Sequence, residues 1–214
     1  MSIENNTQLW DLVFKTDPSA VKPITGKTYK GSSPKPYWLV EQATKHLGAC
    51  GIGWGINVVD QGYQQCGADD VLHWATVEFW YVYNGSRGAV QQMGGTKACY
   101  KSSTGKLIVD EDAAKKSVTD GMVKAMSMVG FAGDIFSGRW DDSKYQSDAS
   151  QHHQAEQSAT ILRKFEEAKQ KIQNIKVIEQ LGSIYREFQD TQYKDQVAKL
   201  CADKKAILLK SEVK

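Results

Sequence analysis

Residues 21–28 are similar in residue type and spacing to a phosphate-binding loop. They read Val-Lys-Pro-Ile-Thr-Gly-Lys-Thr, with Val21 where the first glycine of such a loop belongs. The residues that follow, 29–34, do not predict a helix, whose N-terminal amides and dipole would hold the phosphates. We therefore interpret this stretch as a basic loop rather than a nucleotide site, and we expect no cofactor.

Two groups of carboxylates offer a second kind of chemistry, that of a metal-dependent nuclease. Such an enzyme needs converging carboxylates, which residues 110–112 or Asp134 with residues 141–142 could supply. The first group is better explained as the acidic start of a helix, and the second falls in a predicted loop. His152 and His153 are adjacent without other ligands at metal-binding spacing, so we expect a solvated pair. We predict no catalytic residue and no metal site.

Basic residues distributed along the first two thirds of the chain are candidates for binding phosphate groups. Lysines of the 21–45 loop and helix, an arginine at a predicted hairpin and lysines after residue 95 could together form one groove. Such a groove, with aromatic residues nearby, is what sequence-independent binding of a single strand needs. The candidate DNA-binding residues are Lys35, Lys45, Arg87, Lys97, Lys101, Lys115, Lys116 and Lys124.

The elements that must position these residues are predicted from hydrophobic periodicity and turn residues. Pro36 suits the first turn of a helix that runs to about Leu47. Strands are predicted over 52–59, 71–83 and 89–98, where apolar residues on both faces of the second indicate that both are covered. Asn84-Gly85 predicts the hairpin turn, and Gly94-Gly95 predicts a bulge or a close backbone approach.

Residues 108–136 are predicted to form one long amphipathic helix with an acidic first turn. Val118, Met122, Ala125, Met126 and Val129 recur at helical spacing and would face the core. A glycine at 121 costs helix stability, so we expect another backbone to approach closely there, and we interpret this helix as a working surface. The fold class that follows is α+β, an antiparallel sheet in β-β-β-α order packed on a long helix, with a small C-terminal helical module.

The domain organisation follows from changes in composition along the 214 residues. We predict an N-terminal arm at 1–20, a core at 21–145, a polar linker at 146–160 and a helical interaction module at 161–214. The apolar residues that predict the helices of this module are Ile161, Phe165, Ala168, Ile172, Ile175, Leu181, Ile184, Tyr185, Phe188, Val197, Leu200, Cys201 and Leu208.

The overall charge and hydrophobicity limit the classes of function. A formal net charge of +2 argues against binding nucleic acid through bulk positive charge, so a DNA-binding core would need a localised patch. No apolar run approaches the roughly 20 residues that span a bilayer, and the polar start lacks a signal-peptide pattern. We expect no membrane partner, a cytoplasmic location, and four reduced, structural cysteines.

A pattern of small, apolar and basic residues follows the short acidic start at 110–112. It consists of Ala113, the run Val-Thr-Asp-Gly-Met at 118–122, Lys124-Ala125, Gly130 and Ala132. In this pattern the chain resembles the Rad-fifty-two family of single-strand DNA annealing proteins, including its bacteriophage branch. Residues 39–44, followed by Leu47-Gly48 and Gly53-Trp54, are similar to that family's first core helix and its turn into the sheet. The resemblance covers roughly residues 20–145.

The resemblance implies ATP-independent binding of single-stranded DNA and annealing of complementary strands in homologous recombination and repair. It also implies a homo-oligomeric ring or filament, and a bacterial host's cytoplasm if a phage encodes the chain. Lys124 matches a basic position of the family's helix motif, which makes it the first candidate for DNA contact. The family's eukaryotic members have a second basic residue where this chain has Val123.

Two alternatives remain open at the level of sequence. The first is the metal-dependent nuclease described above. The second is a non-enzymatic adaptor whose basic residues 161–214 recruit an exonuclease or a single-strand binding protein. Residues 163–214 hold 12 Lys or Arg against 8 acidic residues, so this part of the chain is more basic than the rest.

Overall fold

The computed structural model describes residues 6–25 and 30–212. They form two compact units, Met1–Ser147 and Asp148–Lys214. Residues 26–28 of the loop resembling a phosphate site, and the first five residues of the predicted arm, lie outside the described residues. No helix in the described ranges is long and apolar enough to cross a membrane.

The first unit is α+β, as predicted, and is built on an antiparallel sheet. Its elements in chain order are α1 (Gln8–Val13), β1 (Val21–Pro23), β2 (Ser32–Pro34), α2 (Pro36–Leu47), β3 (Trp54–Gln65), β4 (Val71–Tyr83), β5 (Ser86–Lys101), β6 (Leu107–Val109), α3 (Ala113–Ser127) and α4 (Gly133–Phe136), followed by the start of α5 (Ser143–Asn174). Strands β3 to β6 form one sheet in sequence order, and β1 pairs with β2 separately.

The hairpin between β4 and β5 is the one that the sequence predicts. Tyr83 pairs with Ser86, and the two residues between them have positive φ, 49° at Asn84 and 78° at Gly85. Two consecutive positive φ angles characterise the tight turn that Asn-Gly favours. This turn sets the register of the two longest strands in the sheet.

Several predicted boundaries are wrong because polar strands carry little hydrophobic pattern. β3 extends to Gln65 and β5 spans 86–101, and the three-residue β6 was not predicted. The segment 21–36, predicted as irregular, contains the β1–β2 pair, in which Val21 lies opposite Pro34. β1, β2 and β6 have only three residues each, which is too short for an alternating pattern to reveal them.

The two faces of β4 are buried to different extents. His73, Ala75, Val77 and Phe79 are buried on the face that α3 covers. The alternate residues, Trp74 and Trp80 among them, are half-buried. The sequence predicted that both faces are covered, and this is correct only for the face that packs on α3. On the opposite face, the tryptophan rings lie against glycines of β3.

The predicted single helix over 108–136 is three elements in the structure: β6, α3 and α4. Positive φ angles of 109° at Gly130 and 54° at Ala132 separate the two helices, because left-handed residues end a helix. Within α3, Met122, Ala125 and Met126 are buried as predicted. The acidic residues 110–112 precede the first turn rather than lie in it.

The glycines of α3 and β5 mark a close crossing of helix and sheet. A Cβ at Gly94 would lie 2.0 Å from the Ser117 carbonyl oxygen, and one at Gly121 would lie 2.8 Å from a methyl of Val77. The Ser117 hydroxyl donates to the His73 carbonyl oxygen across the same interface, at 2.9 Å. The predicted close approach is confirmed, and on this face of α3 the glycine serves packing against the sheet.

The N-terminal arm forms α1, which packs within the first unit. Leu9 and Val13 are buried, and the backbone N–H groups of Ala132 and Asp134 donate to the carbonyl oxygens of Val13 and Phe14 at 3.1 and 3.2 Å. These bonds attach the described part of the arm to the turn between α3 and α4.

The second unit is a helical bundle made by α5, α6 (Glu179–Glu187) and α7 (Lys194–Glu212). The segment 146–160, predicted as a polar linker, is helical and lies within α5, because it has no glycine or proline to interrupt a helix. The predicted apolar positions largely form the core, which consists of Phe165, Ala168, Ile172, Ile175, Leu181, Ile184, Phe188 and Val197. All four cysteines of the chain are free thiols.

Candidate nucleic-acid interface

A groove of about 510 Å³ lies between the outer side of α3 and residues of β1, β2 and the start of α2. Local structure explains its two walls. The side chains of one wall project from the first three turns of α3, and Pro36 begins α2 on the other. The lining residues are Lys22, Ser33, Pro36, Asp112, Lys115, Lys116, Thr119, Asp120 and Val123.

Three lysines and two aspartates line this groove, so its charge is moderately positive. Lys115 Nζ lies 2.9 Å from Asp112, and Lys116 Nζ lies 2.6 Å from Asp110 just outside the groove. The hydrogen bond that each lysine donates to its aspartate raises the pKa of that lysine, and the bond from Lys116 lowers the pKa of Asp110. Because the pairs are exposed, they contribute little stability, and a phosphate could replace the carboxylate.

Lys35 lies beside the groove, at the residue that caps the start of α2, and is exposed. Lys45 lies in the last turn of the same helix, about 15 Å farther along its axis. Burial and the charge of Lys45 lower the pKa of the adjacent His46. The groove thus has Lys35 at its edge, whereas Lys45 is too far along α2 to share it.

Lys124, the first candidate from the sequence, lies at the junction of α3 and β5. Its Nζ contacts Asp120 at 2.8 Å and the Met93 carbonyl oxygen at 3.5 Å. The same Asp120 oxygen accepts the backbone N–H of Gly95 at 3.2 Å. Lys124 therefore does not line the groove, but it balances the charge of an aspartate that does.

Arg87 lies at the hairpin end of the sheet, on the face opposite α3. Its guanidinium is 5.4 Å from the centre of the Trp80 ring and 3.6 Å from Glu78. Hydrogen bonds from Gln91 and then Asn57 lower the pKa of Glu78. This arginine belongs to a local polar network on that face.

Lys97 and Lys101 lie at the other end of β5. Each pairs with an aspartate of the β3–β4 turn, Lys97 with Asp70 at 3.7 Å and Lys101 with Asp69 at 2.6 Å. The aspartate raises the pKa of Lys101 by a hydrogen bond. Ten strand residues, or about 33 Å, separate Lys97 from Arg87. The eight candidates therefore lie at several separate places rather than in one groove.

Lys22 is one of the 21–45 lysines that the sequence proposes for a groove, whereas the lining residues Ser33 and Thr119 were not singled out. Lys22 and Ser33 pair with each other in the β1–β2 ladder, which the sequence did not predict. Thr119 follows Lys115 by one helical turn, so helical spacing could have identified it. The missing information was which segment faces α3.

The carboxylates that a nuclease would need have structural roles or lie at the surface. Asp134 is buried, and its carboxylate accepts hydrogen bonds from five donors: the backbone N–H and hydroxyl of Thr16, the backbone N–H of Ile135, the indole N–H of Trp140 and the hydroxyl of Tyr145. Asp142 accepts the backbone N–H of Lys144 at the start of α5. Among the described residues, no three His, Cys, Asp or Glu side chains are grouped to hold a metal ion.

No protein-family model matches the chain, and no curated protein is detectably similar to it.

Proposed function

We propose that this protein binds single-stranded DNA through its phosphates and anneals complementary strands without ATP, in homologous recombination and repair. The observation that carries the proposal is the open groove in which lysines from two separate segments, Lys22 and the pair Lys115 and Lys116, face one another. The resemblance of residues 110–132 to the annealing family supports the same function.

The charge arrangement in the groove favours exchange rather than permanent pairing. An exposed lysine–aspartate pair is weak, so a phosphate competes for the lysine and releases its own counterions as it binds. Contacts of this kind carry affinity but no information about base identity. Annealing needs this property, because the protein must accept any sequence.

Annealing requires no bond chemistry from the protein. Two complementary strands repel each other through their phosphates, and neutralising one backbone while holding it extended lowers the barrier to duplex formation. One groove of about 510 Å³ reaches few phosphates, so a longer strand needs several copies of the protein side by side. A ring or filament of identical subunits, as in the resembling family, provides that repetition.

Salt dependence tests the groove directly. We expect the affinity for a single-stranded oligonucleotide to fall steeply with salt, and the double variant Lys115→Ala/Lys116→Ala to reduce the slope of log K against log salt by about 1.4, or 0.7 per lost phosphate contact. The matched control, Lys164→Ala/Lys199→Ala, removes two exposed lysines of the helical bundle. Binding that is insensitive to salt, or a control that changes the slope equally, would contradict the groove.

Asp120 and Lys124 offer a test with opposite signs. Lys124→Ala leaves the Asp120 charge in the groove uncompensated, so we expect weaker binding. Asp120→Asn keeps an acceptor for the Gly95 N–H but removes the negative charge, so we expect tighter binding. Fluorescence anisotropy at low salt measures both. Affinities unchanged by the two substitutions would exclude phosphate contact at this part of α3.

The activity itself is tested with two complementary labelled strands and purified protein in the absence of ATP. We expect hybridisation to be faster with the protein than without it, and native mass spectrometry to show an oligomer on single-stranded DNA. Hybridisation no faster than the protein-free rate would end the proposal, even if the strands were bound.

A further inference from the structure

A second cavity, of about 670 Å³, lies at the hairpin end of the sheet between α1 and the residues that directly follow α3. Its walls carry the rings of Trp10, Tyr81 and Tyr83 and the side chain of Met128. Among the described residues that line it, none is charged. The cavity is thus chemically different from the lysine groove, and the function proposed above does not use it.

Two of the rings, those of Trp10 and Tyr81, pack on other residues of the first unit. Trp10 packs on Phe14 with ring centres 5.9 Å apart, and its backbone and ring lie about 2.9 Å from where a Cβ at Gly130 would be. Tyr81 is stacked on Phe79 at 5.5 Å and an interplanar angle of 21°. Rings fixed in this way lose little conformational entropy when a ligand packs against them.

The polar groups of the cavity are neutral donors and acceptors. Side-chain amides of Asn6, Gln8 and Asn84 and the hydroxyl of Ser86 lie around the aromatic walls. Carboxamides form paired hydrogen bonds with the edges of nucleobases, and aromatic rings stack on base faces. A phosphate or another ion would find no opposite charge here, so the chemistry suits an uncharged planar heterocycle.

We propose that this cavity binds one unpaired nucleobase of the bound strand, stacked on the aromatic walls with its edge hydrogen-bonded by the carboxamides. The inference rests on the proposed binding of single-stranded DNA, and it adds a contact to the base where the groove contacts phosphate. Every base has an aromatic face, so stacking contributes affinity with little sequence preference. The side chain of a protein partner is the competing occupant, and the test separates the two.

The test compares an ordinary single-stranded oligonucleotide with an abasic strand of equal length, which keeps the phosphates and lacks the bases. We expect the protein to bind the ordinary strand roughly tenfold more tightly. Ser86→Trp fills the cavity from an exposed position and should bring the ratio of the two affinities close to one. Ser103→Trp, on an exposed turn away from the cavity, is the matched control and should retain the ratio.

Tyr83→Leu gives a second variant, which removes a ring but keeps an apolar side chain, and circular dichroism checks that each variant folds. Equal affinity of the wild-type protein for the two strands, as expected if a protein side chain is the occupant, would overturn the inference and leave phosphate binding standing. A ratio that persists in both cavity variants would also overturn it. No binding of either strand at low salt would overturn the proposed function together with the inference.

Discussion

Asp134 shows how the role of a residue depends on its partners. In the sequence it is a candidate metal ligand, and in the fold its carboxylate accepts five hydrogen bonds that join residue 16, the α4 region and the start of α5. A buried charge is tolerated when all of its lone pairs are engaged. This carboxylate therefore attaches the N-terminal segment to the rest of the first unit.

Replacing this carboxylate should be costly. Asp134→Asn places an NH₂ donor among groups that are themselves donors, so we expect the free energy of unfolding to fall by about 2–4 kcal/mol. All six tryptophans lie in the first unit, so the urea dependence of tryptophan fluorescence measures its stability separately. Asp141→Asn, at an exposed position, is the control and should change stability by less than about 0.5 kcal/mol.

Tyr145 provides a pH-dependent prediction. Burial first, and then the negative charge of Asp134, raise its pKa from 10 to about 12. Between these pH values the folded protein keeps a proton that the unfolded chain has lost, so the contribution of Tyr145 is complete below pH 10 and decreases as pH rises towards 12.

The comparison of wild-type protein with Tyr145→Phe isolates this contribution. We expect the difference between their unfolding free energies to change between pH 10 and 12, and absorbance at 295 nm to show a late-titrating tyrosine that the variant lacks. A wild-type titration in which every tyrosine ionises near pH 10 would be inconsistent with the hydrogen bond to Asp134.

At the scale of elements, the crossing of α3 over β4 and β5 determines where the lysine groove forms. The helix approaches so closely because Gly94 and Gly121 present backbone rather than side chains to each other. This packing faces the sheet, and the side chains of Lys115 and Lys116 project from α3 into the groove. The glycines therefore act on the site indirectly, through the position of the helix.

The adjacent glycines of β5 give a matched test of this crossing. A Cβ at Gly94 would lie 2.0 Å from backbone oxygen, whereas one at Gly95 meets nothing closer than 3.7 Å. We expect Gly94→Ala to lower the free energy of unfolding by about 3 kcal/mol or more, and Gly95→Ala to change it by less than about 1 kcal/mol. Thermal unfolding followed by tryptophan fluorescence measures both, and equal effects would contradict the crossing.

At the scale of the whole molecule, each compact unit has a core of its own. In the helical bundle, Phe165 is buried, stacks with Tyr193 at 4.3 Å and contacts Phe188 edge-on at 6.3 Å. Lys204 Nζ donates to the Gln173 carbonyl oxygen at 2.7 Å, near the C-terminus of α5 where a positive charge is favourable. These contacts are internal to the second unit.

A substitution in the bundle should separate the two units functionally. Phe165→Ala removes about 3–5 kcal/mol of packing, so we expect loss of part of the helical circular dichroism signal at moderate urea while tryptophan fluorescence is unchanged. Leu162→Ala, at an exposed position of the same helix, is the control.

The same variant tests whether the bundle serves partner recruitment while the first unit serves annealing. If so, Phe165→Ala should still anneal strands, and loss of annealing would contradict this division.

The sequence by itself determined the features that depend on neighbours along the chain. The strand at 71–83, the Asn84-Gly85 turn, three of the five predicted core positions of the long helix (Met122, Ala125 and Met126) and most of the apolar positions of the bundle appear as predicted. Each reflects a period of two or 3.6 residues, or a backbone angle that few residues adopt. Such patterns are local and can be read without knowing which surfaces meet.

Only the tertiary structure decided which charges share a surface. In the fold, Lys22 of β1 lies opposite Lys115 and Lys116. Arg87 and Lys97 lie towards opposite ends of β5, and Asp134 makes structural hydrogen bonds. Placing the β1–β2 pair beside α3 brings Lys22 near Lys115, which is 93 positions (115 − 22) farther along the chain. A lysine has the same local pattern on any exposed surface, so its partner in space follows from the packing of the core rather than from its own neighbours.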